Sequence, residues 1–280
     1  MWLQKTVLFC LMNSVFFSGF SFASEINEEP GGECSSLTAT GNPEYPPFLW
    51  RGNNKDDQLL GANKIIIDEL SRRINIPITL KSVGPWSKAL SAVKNGRVDM
   101  IAGAFYTNSR ASYMDYFYPV MLHTTSVVWQ RKGETFPFHS KKDLQGKWGV
   151  TVISNSFGQA FDSYARQDLN ILSVASLSNA FQMLMADSVD YVLYEKNPGI
   201  AYVTMLGLQK QITYESPSIS SEGLYLTLSK ASSCNTVAVK QKIAMALSQM
   251  HKQGIAEKAL FDGIKEWRAF QTTDIALLKK

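Results

Sequence analysis

The chain has 280 residues, of which 45% are hydrophobic and 19% charged. This composition is typical of a globular protein long enough for two modest lobes. The formal net charge is only +4, and the basic residues are scattered, which argues against a nucleic-acid-binding protein. After residue 23 no segment is apolar enough to predict a membrane span.

Residues 1–23 have the pattern of a secretory signal peptide. Lys5 precedes an apolar stretch, and Ser21 and Ala23 place small residues at the two positions that determine cleavage. A membrane anchor is the less favoured alternative, because the apolar part is short and Asn13 and Ser18 interrupt it. Cleavage would leave 27 basic and 24 acidic residues, a net charge of +3, and would deliver the chain to the periplasm.

Residues 37–104 alternate between strand and helix patterns. Leu37–Thr40 predicts a short strand, and the three prolines of Gly41–Phe48 predict an irregular segment after it. Apolar spacing then predicts a helix over 62–75, a strand over 76–80, a helix over 86–95 and a strand over 98–104. This order is typical of an α/β domain with a largely parallel sheet.

A short pattern occurs twice, at residues 89–99 and 180–190. Each copy is an amphipathic helix that ends in a Val-Asp pair before an apolar strand. The repeated pattern indicates two lobes built on similar βαβ units. In the second lobe, 148–153 would form the first strand and 157–166 the helix after it.

Two strand-like segments, 126–130 and 223–228, flank the second lobe, so the chain is expected to leave the first lobe and return to it. We therefore expect a discontinuous lobe 1 (residues 34–123 and 220–266), lobe 2 (residues 124–219) and a C-terminal tail (residues 267–280). A last helix is expected over 236–253.

Two cysteines, Cys34 and Cys234, remain after cleavage of the signal peptide. An even pair in an oxidising compartment predicts one disulfide, and the discontinuous lobe 1 would contain both residues. Two unpaired thiols are the alternative.

The sequence lacks the short motifs of common enzyme classes, namely GxSxG, HExxH, the P-loop and the dinucleotide glycine fingerprint. The three histidines have no cysteine or acidic neighbours at ligand spacing. We therefore expect no metal site, no cofactor and no enzymatic activity, and look for groups that recognise a ligand.

Arg110 stands at an unusual position. Thr107 is a good helix N-cap, and the third residue after an N-cap is commonly Glu or Gln, because acids suit the positive end of a helix. A cation there indicates an anion nearby. A guanidinium binds a carboxylate through two parallel hydrogen bonds, and the first backbone N–H groups of the helix would assist it. Pairing with Asp99 or Asp115 is the alternative.

A second group of candidates is aromatic. Tyr45 and Phe48 lie in the proline-stiffened segment after a strand, where α/β folds present ligands, and such rings can hold the body of a small molecule. Trp86 and Phe105 are further candidates, whereas Trp50 is expected in the core. The same expectation of burial applies to Tyr106.

An acid completes the pattern. Glu195 follows the predicted strand 191–194 and can face Arg110 across a cleft, although a solvated loop acid is the alternative. Asn155 and Ser156 lie between a strand and a helix and can offer polar groups to the same anion. An arginine opposite an acid describes a site for a zwitterion such as an α-amino acid.

The order and spacing of these segments resemble bacterial periplasmic solute-binding proteins of family 3, which serve amino-acid ABC transporters. The resemblance covers residues 37–261. It is carried by the proline-rich segment 41–48, by GRVDMIAG (96–103) followed by TNSR (107–110), by DLQGKWGV (143–150), by SVD (188–190) through Glu195, by 223–230 and by 250–254.

The family resemblance implies a type II periplasmic-binding-protein fold, an α/β architecture of two lobes. Each lobe would be a mainly parallel sheet with flanking helices, and two strands would form a hinge that closes on the ligand. The implied partners are a small carboxylated solute and an inner-membrane ABC permease. A monomer is expected.

The resemblance also implies roles for single residues. Arg110 would bind the α-carboxylate, Glu195 would bind the α-amine, and Tyr45 would stack on the ligand. The remaining implied site residues are Trp86 on the pocket wall, Asn155 and Ser156 at the carboxylate, and Asn42, Gly103, Phe105 and Thr107 around them.

Three positions depart from the family pattern. The glycine usual after the first strand of lobe 2 is replaced around Ile153 and Ser154. Phe105 stands where many members have Ser or Thr, and Asn42 stands where binders of basic amino acids often have Asp, which makes a basic ligand less favoured. Two other functions stay open. One is a periplasmic cyclohexadienyl or prephenate-type dehydratase on the same fold, with Glu195 as its general acid, and the other is a sensory binding protein without transport.

Overall fold

The computed structural model describes residue 2, residues 34–52 and residues 58–278, with side chains placed as far as residue 272. The predicted signal peptide therefore lies outside the described residues, apart from residue 2. The strands are β1 (Leu37–Thr40), β2 (Glu44–Tyr45), β3 (Leu49–Arg51), β4 (Leu59–Leu60), β5 (Ile78–Leu80), β6 (Met100–Ala104), β7 (Met114–Tyr116), β8 (Leu122–Arg131), β9 (Trp148–Val152), β10 (Asn170–Val174), β11 (Tyr191–Glu195), β12 (Ile212–Tyr214) and β13 (Ser220–Ser229). The helices are α1 (Ala62–Ile74), α2 (Trp86–Lys94), α3 (Asn108–Ala111), α4 (Gln159–Asp168), α5 (Leu177–Met185), α6 (Lys196–Met205), α7 (Val237–Lys252) and α8 (Ile255–Leu278), with a 3₁₀ turn at Lys141–Leu144.

Within the described residues, ten strands form one mixed sheet. Its main order is β10-β9-β11-β8-β13-β6-β1-β5, while β12 pairs with β8 and β7 pairs with β13. At one end β1 pairs in parallel with β5 and β6, and at the other end β9 pairs in parallel with β10 and β11. The helices between these strands provide the crossovers that parallel pairing requires. A separate three-stranded sheet has the order β2-β3-β4.

Two long antiparallel strands join the two parallel groups. The first half of β8, Leu122–Ser126, pairs with the first half of β13, Ser220–Leu224. Beyond this region β8 pairs with β11 and β12, whereas β13 pairs with β6 and β7. We define lobe 1 as β1–β7, α1–α3, α7 and α8, and lobe 2 as β9–β12 and α4–α6. The predicted fold class, with two lobes and a two-strand hinge, is thus confirmed. The exact residue bounds of the lobes stay a prediction.

The helices pack on the sheet through the apolar stripes that the sequence shows. Helix α1 buries Ile66, Ile67, Leu70 and Ile74, which are the four residues of its predicted stripe. In lobe 2, α5 buries Leu177, Ala180, Phe181 and Leu184. Removal of such side chains from water is the main favourable term in folding, at about 25 cal/mol per Å² of apolar surface.

The two aspartates of the repeated pattern have the same role in both lobes. Asp99 accepts hydrogen bonds from the backbone N–H and the hydroxyl of Thr38, both at 2.8 Å. Asp190 accepts one from the backbone N–H of Trp148 at 2.7 Å. Each aspartate therefore fixes the first strand of its lobe beside the strand that follows the aspartate in sequence.

Three sequence predictions differ from the structure. The segment Glu44–Tyr45 is not irregular. It forms strand β2, which lies between two prolines and pairs with β3. Tyr106 is not a core residue: it is 41% exposed, and its ring lies 5.0 Å from that of Tyr116 at the surface. The predicted tail after residue 266 belongs to α8, where Trp267 packs edge-on against Trp50 with the ring centres 5.3 Å apart.

Cys34 and Cys234 form a disulfide across 200 residues of sequence, as the sequence predicts. The bond joins the segment before β1 to the turn before α7, both in lobe 1. In the part of the chain that the structure describes, no helix is long and apolar enough to cross a membrane.

Candidate functional site

A small cavity lies between the lobes, with about 20 Å³ open to a water-sized sphere. Lobe 1 contributes the loop after β1, the start of α2, the end of β6 and α3, and lobe 2 contributes the segments after β9 and at the end of β11. Eight of the ten predicted ligand-binding residues line it, together with two that were not predicted, Ala104 and Leu224. The eight are Asn42, Tyr45, Trp86, Gly103, Phe105, Arg110, Asn155 and Glu195.

Arg110 is buried, with only 7% of its surface exposed. Its Nη1 donates to the Phe105 carbonyl at 3.1 Å and its Nη2 donates to the Ser154 carbonyl at 2.9 Å. The guanidinium also lies over the ring of Trp86, 5.4 Å from its centre. Burial lowers the pKa of Arg110, while nearby tyrosines and acids oppose that shift. None of the ion pairs found among the described residues includes Arg110, so the predicted alternative partners do not neutralise it.

The local sequence explains the position of Arg110. Strand β6 ends at Ala104, and Thr107 caps the short helix α3 by accepting a hydrogen bond from the backbone N–H of Arg110 at 3.2 Å. Side chains of a first helical turn point back toward the start of the helix. The guanidinium therefore lies beside the end of β6, where it can reach lobe 2.

Glu195 is the acid of the cavity, and it is 1% exposed. It ends the buried strand β11, so its carboxyl group lies at the carboxyl edge of the lobe 2 sheet. Burial raises the pKa of Glu195 to about 7, and its own backbone N–H, the side chains of Tyr45 and Asn155, and the charge of Arg110 oppose that increase. The group can therefore exchange a proton near neutral pH, or become fully ionised beside a cation.

Three polar atoms around the Glu195 carboxyl group are buried without a hydrogen-bonding partner in the protein. They are the Tyr45 hydroxyl, Asn155 Nδ2 and Glu195 Oε2. Tyr45 and Asn155 lie close enough to the carboxyl group to lower its pKa, but neither makes a hydrogen bond of normal geometry with it. Buried unpaired polar atoms are rare and costly, at about 1–3 kcal/mol each, and in a cavity they indicate groups that a ligand can bind.

Asn42 lines the cavity, but the protein already uses its polar atoms. Its Oδ1 accepts from the backbone N–H of Glu44 at 3.0 Å. Its Nδ2 donates to the hydroxyl of Tyr194 in lobe 2 at 3.4 Å. Asn42 therefore shapes the loop and links the lobes, and these two bonds use one of its two N–H donors and one of its two acceptor positions.

Further contacts hold the lobes together around the cavity. Trp86 Nε1 donates to the Ser154 carbonyl at 3.1 Å, the same oxygen that Arg110 contacts. The backbone N–H of Asn108 donates to Oε1 of Gln159 at 3.0 Å. Both pairs join lobe 1 to lobe 2.

Gly103 has a backbone role. Its φ is +100°, a conformation that favours glycine, and a Cβ there would lie 2.7 Å from Nδ2 of Asn63. That amide donates to the Ala102 carbonyl at 2.8 Å. Gly103 therefore lets β6 bend beside the cavity before Phe105.

The structure does not place Thr107 and Ser156 in this cavity. Both line a neighbouring, more open space of about 410 Å³, which Arg110 and Asn155 also border. The Thr107 hydroxyl caps α3, and the Ser156 hydroxyl donates to Asp162 at 2.5 Å. Their side-chain oxygens therefore stabilise the two helix starts, and the predicted contacts of these residues with a ligand gain no support.

The two unpredicted lining residues carry little sequence signal. Ala104 is the residue before Phe105 and could have been included from its position in the strand. Leu224 lies on β13, far along the chain, and a leucine in a hinge strand has no feature that distinguishes a cavity wall from core.

Within the described residues, no group of three His, Cys, Asp or Glu side chains could hold a metal ion.

Comparisons with known proteins agree with this architecture. The sequence model of the bacterial extracellular solute-binding proteins, family 3, matches residues 37–261. No curated protein matches significantly.

Among solved structures, the amino acid ABC transporter substrate-binding protein AbpA from Streptococcus pneumoniae bound to L-arginine has a TM-score of 0.68 at 16% identity, with 83% of this chain and 96% of that one covered. An ancestral arginine-binding protein bound to glutamine has a TM-score of 0.67 at 20% identity, covering 84% and 99%. A histidine kinase sensor domain with similarity to periplasmic binding proteins has a TM-score of 0.69 at 19% identity, covering 82% and 96%. At these identities the likeness concerns the fold.

Proposed function

Because the chain belongs to the bacterial extracellular solute-binding proteins, family 3, it is a solute-binding protein, and we propose that its solute is a small zwitterion, an α-amino acid or a close relative. The solute binds between the lobes in the periplasm, closure of the hinge encloses it, and the complex delivers it to an inner-membrane ABC transporter. The observation that carries this proposal is a buried guanidinium, that of Arg110, and a buried carboxyl group, that of Glu195, in one small cavity.

Arg110 and Glu195 would bind the two opposite charges of the zwitterion. Arg110 has five N–H donors in a planar fork, and it makes two hydrogen bonds with described residues, which leaves donors for a carboxylate. Asn155 Nδ2 can donate to the same anion. The carboxyl group of Glu195 and the hydroxyl of Tyr45 can accept from an ammonium group, whose charge would offset the cost of ionising a buried acid.

The similar structures support the transport role. One is the substrate-binding protein of an amino acid ABC transporter, and two carry arginine or glutamine as ligands. The sensor domain of a histidine kinase shares the fold, so a sensory role is the outcome to consider if no transporter uses the protein. A genetic test is uptake of the identified solute in cells that lack this protein.

The first experiment is a thermal-shift screen of the purified protein with amino acids, simple carboxylates and amines. A compound that binds only the folded protein raises the melting temperature with its concentration. Calorimetry then gives the affinity of the best compound. If simple carboxylates bind as tightly as amino acids, the zwitterion proposal fails.

Substitution of Arg110 tests the carboxylate contact. Hydrogen bonds to charged groups contribute about 1.5–3 kcal/mol each, so Arg110→Ala should lower affinity at least tenfold. Arg110→Lys should restore only part of it, because an ammonium lacks the planar fork. Arg97→Ala, a change of the same kind at an exposed position, serves as the control. Unchanged affinity in Arg110→Ala would place the carboxylate elsewhere.

The pKa of Glu195 also fits a general acid, which is what the dehydratase alternative requires. Incubation with prephenate and measurement of phenylpyruvate tests it directly. We expect no turnover. Glu195-dependent product formation would make the protein an enzyme on a binding-protein fold.

A further inference from the structure

The unpaired polar side-chain atoms of the cavity cluster around Glu195. The Tyr45 hydroxyl, Asn155 Nδ2 and Glu195 Oε2 lack partners, and the pKa of Glu195 responds to both neighbours and to Arg110. If the proposed function is correct, an ammonium and a carboxylate use all of these atoms. Any further substituent that stays within this cavity must then face the rest of the wall.

The rest of the wall offers no free polar side-chain atom. Nε1 of Trp86 is bound to the Ser154 carbonyl, and both polar atoms of Asn42 are bound within the protein. The remaining side chains are those of Ala104, Phe105 and Leu224. A charged or strongly polar substituent here would leave water and could gain at most the second N–H or the second lone pair of the Asn42 amide, whereas burial of an unpaired charge costs several kcal/mol in general.

The cavity is also small. Only about 20 Å³ inside it is open to a water-sized sphere, roughly the volume that one water molecule needs, so a ligand must part the lobes and a small side chain requires the least opening. Phe105 and Leu224 are both buried, and they occupy space that smaller residues would leave to a ligand.

We propose that this cavity selects amino acids whose side chain is small and uncharged, of the glycine and alanine class, and that Phe105 and Leu224 determine the size limit. This inference rests on the proposed function and narrows its substrate class. It also separates the chain from those similar structures that hold arginine or glutamine, because no second acid lines this cavity and the amide of Asn42 already binds Glu44 and Tyr194.

The test is calorimetric titration with a matched series: glycine, L-alanine, L-leucine, L-phenylalanine, L-glutamine and L-arginine. Glycine or alanine should bind at least a hundredfold more tightly than arginine, glutamine and phenylalanine. Arginine or glutamine binding as tightly as alanine would overturn this inference and leave the zwitterion proposal intact. If no member of the series binds, the zwitterion proposal itself fails.

Variants assign the size limit to residues. Phe105→Ala should improve the affinity for leucine relative to alanine at least tenfold, since a pocket distinguishes one methylene by about 10–200-fold. Leu224→Ala is a second variant, on the hinge strand β13. Phe261→Ala, at a residue that is 69% exposed, is the control and should keep the wild-type order. An unchanged order in both cavity variants, with melting curves that demonstrate folding, would overturn the role of these two residues.

Discussion

Glu195 should make the stability of the protein depend on pH in an unusual direction. Its pKa in the folded protein is about 7, against an ordinary value of 4.5. Between these values the folded protein holds a proton that the unfolded chain has lost. The contribution of Glu195 is therefore most favourable below about pH 4.5 and is lost as the pH rises through 7. The difference of 2.5 pKa units corresponds to about 3 kcal/mol.

The measurement compares wild type with Glu195→Gln, which removes the titrating group and keeps the size of the side chain. Urea unfolding at pH 5, 6, 7 and 8, without an added solute, gives the free energy of unfolding of each protein. We expect the wild type to lose about 2–3 kcal/mol relative to the variant across this range. Glu257→Gln, at an exposed position, should follow the wild type. Parallel curves for wild type and Glu195→Gln would refute the assigned pKa.

A bound ammonium should reverse this dependence, because it keeps the carboxylate of Glu195 ionised. Binding then releases a proton, and affinity should fall about tenfold for each pH unit below 7. Calorimetry at pH 6 in two buffers of different ionisation enthalpy measures the protons released, and we expect close to one. Release of none, with an affinity that is constant from pH 5 to 8, would mean that the ligand's cation does not contact Glu195.

The disulfide, the hinge and the last helix each give a further prediction. Replacement of Cys34 by Ser should lower the free energy of unfolding by about 2–5 kcal/mol, and equal urea midpoints would contradict a bond that is formed. A saturating ligand should reduce the radius of gyration in small-angle scattering, because it contacts both lobes and favours the closed arrangement; an unchanged radius would exclude closure. Trp267→Ala should destabilise by about 3–5 kcal/mol, since Trp267 is 8% exposed and packs on Trp50 and Phe270; a loss under 1 kcal/mol would mean that α8 is not integral to lobe 1.

Elements with strong local patterns could be predicted from sequence. The apolar stripe of α1 and the buried strand β11 could be predicted because the spacing of their apolar residues is visible in the sequence. Arg110 was noticed because its charge conflicts with its position in a helix. Such conflicts between local preference and sequence are expected at functional sites.

Features that depend on distant pairing could not be predicted. Strands β2 and β4 have only two residues each and exist because β3 pairs with both. The burial of Trp267 depends on Trp50, more than two hundred residues earlier in the chain. The hydroxyl of Ser156 was expected to face an anion, but Asp162, six residues later, accepts its hydrogen bond. The residue type shows that a donor is present, but only the fold determines which acceptor lies nearest to it.

The balance of contacts between the lobes explains how a ligand can control closure. The hydrogen bonds that join the lobes directly run from Trp86 and Arg110 to the Ser154 carbonyl, from Asn108 to Gln159 and from Asn42 to Tyr194. They contribute about 0.5–1.5 kcal/mol each when neutral groups pair and somewhat more for the guanidinium. The same closure buries three unpaired polar atoms near Glu195, at about 1–3 kcal/mol each. The two sums are of similar size and opposite sign. Closure of the protein alone is therefore close to balanced, and a zwitterion that satisfies those three atoms and Arg110 shifts the equilibrium toward the closed arrangement. By the same reasoning, a simple carboxylate would satisfy Arg110 and leave Glu195 unpaired, so it should bind without fully closing the hinge.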